Sequence, residues 1–109
     1  GILYANQKYY EDAEEAWIKT VKIDPTNANA WNNLGVLYES IKKYAEAEKA
    51  WLEALKIDPN YLFAMCNLGF FYVQRRKYKD AKSTLQNALK LSPNNVKIKE
   101  ILDIISMFH

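Results

Sequence analysis

Gly1, Gly35 and Gly69 stand 34 residues apart, and so do Tyr4, Tyr38 and Tyr72, Tyr10, Tyr44 and Tyr78, Ala13, Ala47 and Ala81, and Pro25, Pro59 and Pro93. Five columns sharing one period constrain the fold more than any other feature. A period of this size marks a stacked repeat, because one such unit cannot bury its apolar face alone and must lean on the next. The chain is therefore expected to be a piece of solenoid that works along an elongated surface.

Inside each period the apolar residues fall at helical spacing twice. In the second period they are Ala30, Trp31, Leu34, Leu37, Tyr38 and Ile41, then Tyr44, Ala47, Ala50, Trp51, Ala54 and Leu55, with a break at Lys42 and Lys43. Each unit reads as a helical hairpin, and the short connections force its helices antiparallel. Pro25, Pro59 and Pro93 close the units, with Thr26, Asn60 and Asn94 as expected N-caps of the helices that follow. Gly35 and Gly69 sit inside helical runs, where glycine costs roughly 1 kcal/mol against alanine, and close approach to Ala47 and Ala81 on the paired helices would offset that cost. Tyr38, Tyr72, Trp51 and Leu85 are expected to fill the core between a hairpin and its neighbour.

The 109 residues are half apolar and about a quarter charged, a composition of folded chains rather than disordered ones. Fifteen basic against thirteen acidic side chains give a net charge of +2, too small to argue for a nucleic-acid or membrane partner. The distribution is uneven. Residues 1–74 carry seven basic and ten acidic groups, whereas residues 75–109 carry eight and three, a contrast driven by Arg75, Arg76, Lys77 and Lys79. That cluster reads as a solvated turn, with an acidic partner as the alternative. Cys66 is the single cysteine, so no internal disulfide can form, and it is expected as a small lining residue. No run of residues is apolar enough to span a membrane. The chain has no initiator Met and begins in mid-pattern, so trimming is expected and the missing leader is uninformative about compartment.

Chemistry is sparse. His109 is the last residue and unsuited to act as a positioned base, and one Cys with one His cannot build a zinc site, so neither an enzyme nor a cofactor is expected. Paired acids such as Glu14 with Glu15 and Glu46 with Glu48 lie on second helices and read as solvated charge. No glycine-rich phosphate loop is present, and no basic stripe interleaved with aromatics.

The pattern resembles the tetratricopeptide repeat, whose signature runs Trp, Leu, Gly, Tyr, then Ala, an aromatic and a closing Pro. Residues 28–61 match it with Trp31, Leu34, Gly35, Tyr38, Ala47, Trp51, Ala54 and Pro59. Residues 62–95 match with Met65 in the Trp place and Leu85 in the aromatic place, and residues 1–27 match from Gly1, with Thr20 where Ala is usual. The first unit lacks its opening seven residues, so its first helix is expected as a stub. In residues 96–109 the Trp, Gly and Tyr places hold Lys99, Asp103 and Ser106, which suits a capping helix at which the array is expected to end. The expected architecture is an all-α, right-handed superhelical solenoid in one domain, with a truncated repeat over 1–27, full repeats over 28–61 and 62–95, and a cap over 96–109.

The resemblance implies that first helices line a concave groove that binds peptides. By that implication Asn29, Asn32, Asn33, Val36, Glu39 and Ser40 line it from the second repeat and Phe63, Cys66, Asn67, Phe70, Val73 and Gln74 from the third. Ile2 and Asn6 would join from the stub, and Lys97, Ile101 and Ile104 from the cap. Asn33 and Asn67, one period apart, could hold the main chain of a peptide, since a primary amide both donates and accepts. Phe63, Phe70 and Val73 would be apolar anchors unless the final helix covers them. Chaperone-binding relatives clamp a terminal carboxylate with two Lys, two Asn and an Arg. Here Phe63 and Asn67 stand in the places of a Lys and the Arg, and Ile2 in that of an Asn, so such a tail is not the expected ligand. The expected function is a protein-interaction module. Its rivals are self-association through apolar ends, including a homodimer, and service as the targeting arm of a larger enzyme.

Overall fold

The computed structural model describes the backbone of residues 2–108 and the side chains of residues 7–107. Six helices follow one another, α1 (Ile2–Ile23), α2 (Ala28–Ser40), α3 (Tyr44–Ile57), α4 (Leu62–Gln74), α5 (Tyr78–Leu91) and α6 (Val96–Phe108), with no strand among the described residues. The all-α helical-repeat fold is the one the period predicts. Its helices group into two compact units, Gly1–Pro59 with α1 to α3 and Asn60–His109 with α4 to α6. In the first unit α2 packs on both α1 and α3, and in the second α5 packs on both α4 and α6.

The turn inside each hairpin is one backbone device used twice. After α2, the Lys43 N–H donates to the Tyr38 carbonyl (2.8 Å) and the Lys42 N–H to Glu39 (3.0 Å); after α4, Lys77 donates to Tyr72 (2.8 Å) and Arg76 to Val73 (3.1 Å). This is the Schellman pattern, which needs a left-handed residue just past the helix, usually glycine. Here Lys42 (φ 65°) and Arg76 (φ 62°) take it, at a local cost of about 1–2 kcal/mol. A long cation is a weak stop signal, because Lys and Arg continue a helix readily. The turn is thus imposed by the packing of the two helices it joins.

That dependence explains the first repeat. Lys8 holds the place of Lys42 and Arg76, yet no turn forms there, and α1 runs unbroken from Ile2 to Ile23. The expected stub is not a separate helix. At Lys8, a residue that continues a helix readily, helix propagation wins over the left-handed turn.

Helix starts also differ from expectation by one residue. Asn27 caps α2, its Oδ1 accepting the Ala30 N–H at 2.9 Å, and Asn95 Oδ1 accepts the Ile98 N–H at 3.1 Å at the start of α6. Thr26 is instead held in the preceding turn, where its N–H and hydroxyl both donate to Asp24 Oδ1. α4 starts after Tyr61, which makes no side-chain cap, so Asn60 does not cap it. Trp31 adds a tie that sequence did not foretell: its indole N–H donates to the Pro25 carbonyl (3.1 Å) and fixes the α1–α2 connection.

The core of the first unit gathers Val21, Ala30, Leu34 and Ala50, with Trp17, Ile18, Trp31 and Tyr38 packed against it. Trp51 is fully buried, and a Cβ added to Gly35 would overlap its indole ring. In the second unit a Cβ on Gly69 would overlap Leu85, among buried Met65, Leu68, Phe71, Tyr72, Ile98, Leu102 and Ile105. The small helical residue therefore makes room for a large side chain on the partner helix of its own hairpin, rather than for Ala47 or Ala81.

Candidate functional site

Repetition at 34 residues puts one stripe on the first helix of each full hairpin. On α2 it is Asn29, Asn33, Val36 and Ser40, and on α4 it is Phe63, Asn67, Phe70 and Gln74, each spaced as helical neighbours are. On α2, Asn29 is exposed, Asn33 half-buried and Val36 41% exposed. The Ser40 hydroxyl donates to the Val36 carbonyl at 3.0 Å, so its donor is turned onto its own helix. Asn32, one residue off the stripe, is buried, 7% exposed. It leaves the set of accessible residues that the sequence reading assigned. Glu39 is half-buried, and desolvation pushes its carboxyl above the ordinary value.

The α4 stripe is the more apolar. Phe63 is 69% exposed and rests edge-on against Tyr61, their ring centroids 6.0 Å apart. Asn67, Phe70 and Val73 are half-buried, and Gln74 is exposed. The Phe70 ring is not bare: the Lys97 Nζ of α6 lies over it, 5.0 Å from its centroid. Burial raises the Cys66 thiol pKa, and the same lysine pulls it partly back. The expected addition of the last helix to this face therefore takes the form of a cation laid across it, with Ile101 half-buried and Ile104 exposed. Ile2 and Asn6, also assigned from sequence, lie outside the described side chains.

One cleft was not foreseen. Gln7, Tyr10, Glu11, Glu14, Ser40, Ile41, Lys42 and Lys43 enclose about 520 Å³ in the first unit. Its chemistry is held by Glu14, which accepts from the Tyr38 hydroxyl and lies 3.9 Å from Lys43 Nζ. Burial first, then Glu14 and Glu46, push the Tyr38 phenol above its ordinary value. Among the described residues no helix is long and apolar enough to cross a membrane, and no group of three His, Cys, Asp or Glu could hold a metal ion.

Three family models match the chain: two described as tetratricopeptide repeat, over residues 28–61 and 64–95, and one described as TPR repeat, over residues 1–42. The first TPR of Spaghetti (RPAP3), solved with the HSP90 peptide SRMEEVD, is 29% identical with a TM-score of 0.83, covering 98% of this chain and 87% of that one. The second TPR domain of human RPAP3, solved with the HSP70 peptide SGPTIEEVD, is also 29% identical, with a TM-score of 0.80 and coverage of 94% and 86%. The Arabidopsis OM64 TPR domain, 21% identical with a TM-score of 0.82 and coverage of 100% and 90%, shares the fold. No curated protein sequence matches the chain at a significant level.

Proposed function

The chain belongs to the tetratricopeptide repeat family, an architecture that serves as a protein-interaction module, and we propose that its ligand is a peptide segment of a partner protein laid on the stripe of α4. The observation that carries this is the exposed Phe63 beside Asn67 and Phe70 on one face of α4. An isolated exposed apolar residue needs no explanation, but an aromatic stripe next to an amide is the makeup of a peptide anchor. Solved relatives at 29% identity hold chaperone peptides, which supports a peptide as the class of ligand. On α2, Asn29, Asn33 and Val36 offer a second, more polar stripe suited to main-chain contacts. Binding to a preformed helical hairpin costs the receptor little ordering entropy.

The ligand's terminal carboxylate is not the specificity element. Phe63 and Asn67 occupy clamp places that need cations, and Lys97 is engaged over Phe70. Partner capture followed by calorimetry tests the whole reading. Phe70→Glu should weaken binding by about 2 kcal/mol or more, as for a central anchor, with free-acid and amidated forms of the captured segment binding within about tenfold of each other. Unchanged affinity in both Phe70→Glu and Asn33→Ala removes these stripes from the function. A second reading, self-association, draws on Val96, Ile104 and Met107 of α6, all exposed apolar residues on one short helix. Concentration-independent sedimentation as a monomer would dispose of it.

A further inference from the structure

One 34-residue-repeated stripe of the second helices changes sign along the chain. In α1 it runs Glu11, Glu14, Glu15, Ile18 and Lys22; in α3 the same places hold Ala45, Glu48, Lys49, Leu52 and Lys56; in α5 they hold Lys79, Lys82, Ser83, Gln86 and Lys90. Acids at the first two places have become lysines. The reversal belongs to the whole second unit, whose eight basic and three acidic residues give net +5, against seven and ten, net −3, in the first.

In the second unit this stripe borders open space. Tyr78, Lys79, Lys82, Ser83, Gln86 and Ile105 line a cleft of about 540 Å³ beside α5. A second cleft, of about 420 Å³, shares Ser83 and Gln86 and extends along the helix past Leu89 and Lys90 to Pro93. The two form a continuous path from Lys79 to Lys90, about 16 Å long at the α-helical rise. No carboxylate pairs with Lys79, Lys82 or Lys90 among the described residues. Lys79 stands in the first turn of α5 next to the exposed Asp80, at a place where the helix dipole by itself disfavours a cation by a few tenths of a kcal/mol. A residue placed against local stability is a candidate for function.

We propose that this cleft is a second docking surface, separate from the α4 stripe, for an acidic helical segment of a partner protein. Its carboxylates would pair with Lys79, Lys82 and Lys90, and apolar side chains would rest against Tyr78 at one end of the path and Leu89 at the other, both half-buried. Charge complementarity names the occupant: Lys82 one turn and Lys90 three turns beyond Lys79, with no carboxylate paired to them among the described residues, match carboxylates spaced i, i+3 and i+11 on a partner helix. The amides and hydroxyl of Ser83 and Gln86 can bond carboxylate or backbone. Only Tyr78 offers a ring, which disfavours a nucleic-acid strand that would need several stacking platforms.

The test uses a fluorescein-labelled helical peptide bearing Glu at positions i, i+3, i+7 and i+11 with Leu between them, its Gln twin, and a labelled oligouridine. The expected result is binding of the Glu peptide that weakens with added salt, at least tenfold weaker binding of the Gln twin, and amide shift changes confined to α5 and the end of α6. Lys79→Glu with Lys82→Glu should reduce binding at least tenfold, while Phe70→Glu leaves it unchanged. The double variant should keep its helical circular dichroism and melt no lower than the parent, because Lys79→Glu relieves the dipole conflict. Equal binding of the Glu and Gln peptides, loss of binding in Phe70→Glu alone, or tighter binding of oligouridine lost in the lysine variant would each overturn the proposal.

Discussion

Gly35 and Lys42 both hold positions where local preference and tertiary demand disagree. Alanine at Gly35 would gain roughly 1 kcal/mol of helix propensity, but its Cβ would overlap the Trp51 indole, a rigid ring with no exposed surface into which it could retreat. Overpacking of that kind costs about 1–3 kcal/mol, so Gly35→Ala should lose about 1 kcal/mol net in chemical denaturation, and Gly69→Ala less, because the Leu85 methyl it meets can rotate. The reverse case is Lys42, left-handed at φ 65°. Lys42→Gly should stabilise by about 0.5–1 kcal/mol. At Lys8, the equivalent place inside unbroken α1, the same substitution should destabilise by a similar amount. Equal signs at the two sites would refute the account of why α1 does not turn.

The period made α2 to α5 legible as elements, since alternate breaks at Lys42 and Arg76 and closing prolines bracket four helices of nearly equal length. It also placed the stripes, because a fixed period repeats an angular position. What it could not deliver was any feature decided by contact across helices. Asn32 and Asn33 are the same residue type, and only the 100° between them on the helix separates a buried amide from an accessible one. The α2 cap slipped by one residue because Asp24 takes Thr26 into its own turn. The cation over Phe70 depends on how α6 lies beside α4, and it has a chemical readout in Cys66. Lys97 lowers that thiol's pKa while burial raises it, so Lys97→Ala should leave the pKa higher still and slow alkylation by iodoacetamide at pH 8. Faster alkylation, with the fold intact by circular dichroism, would mean that Lys97 shields the sulfur sterically instead of acting through its charge.

At the scale of the whole molecule, stability is distributed between two units, each with its own interior, and repeat assemblies of this type need not unfold as a single step. The clearest consequence lies in α1. Its hydrogen-bonded ladder is continuous over Ile2–Ile23, yet around Gln7, Lys8 and Tyr9 the side chains are exposed, while Trp17, Ile18 and Val21 are packed into the first core. A short helical stretch without tertiary support is marginal in water. One rod should therefore show two thermodynamic regimes under native-state hydrogen exchange: amides near Tyr9 opening by local fraying, and those near Val21 exchanging only when the first unit opens, with rates that differ by orders of magnitude along one unbroken helix. Uniform protection from Tyr9 to Val21 would contradict it. A gradient would make the turn of α1 around Gln7, Lys8 and Tyr9 a reserve of order that a contact could consolidate without any change of fold.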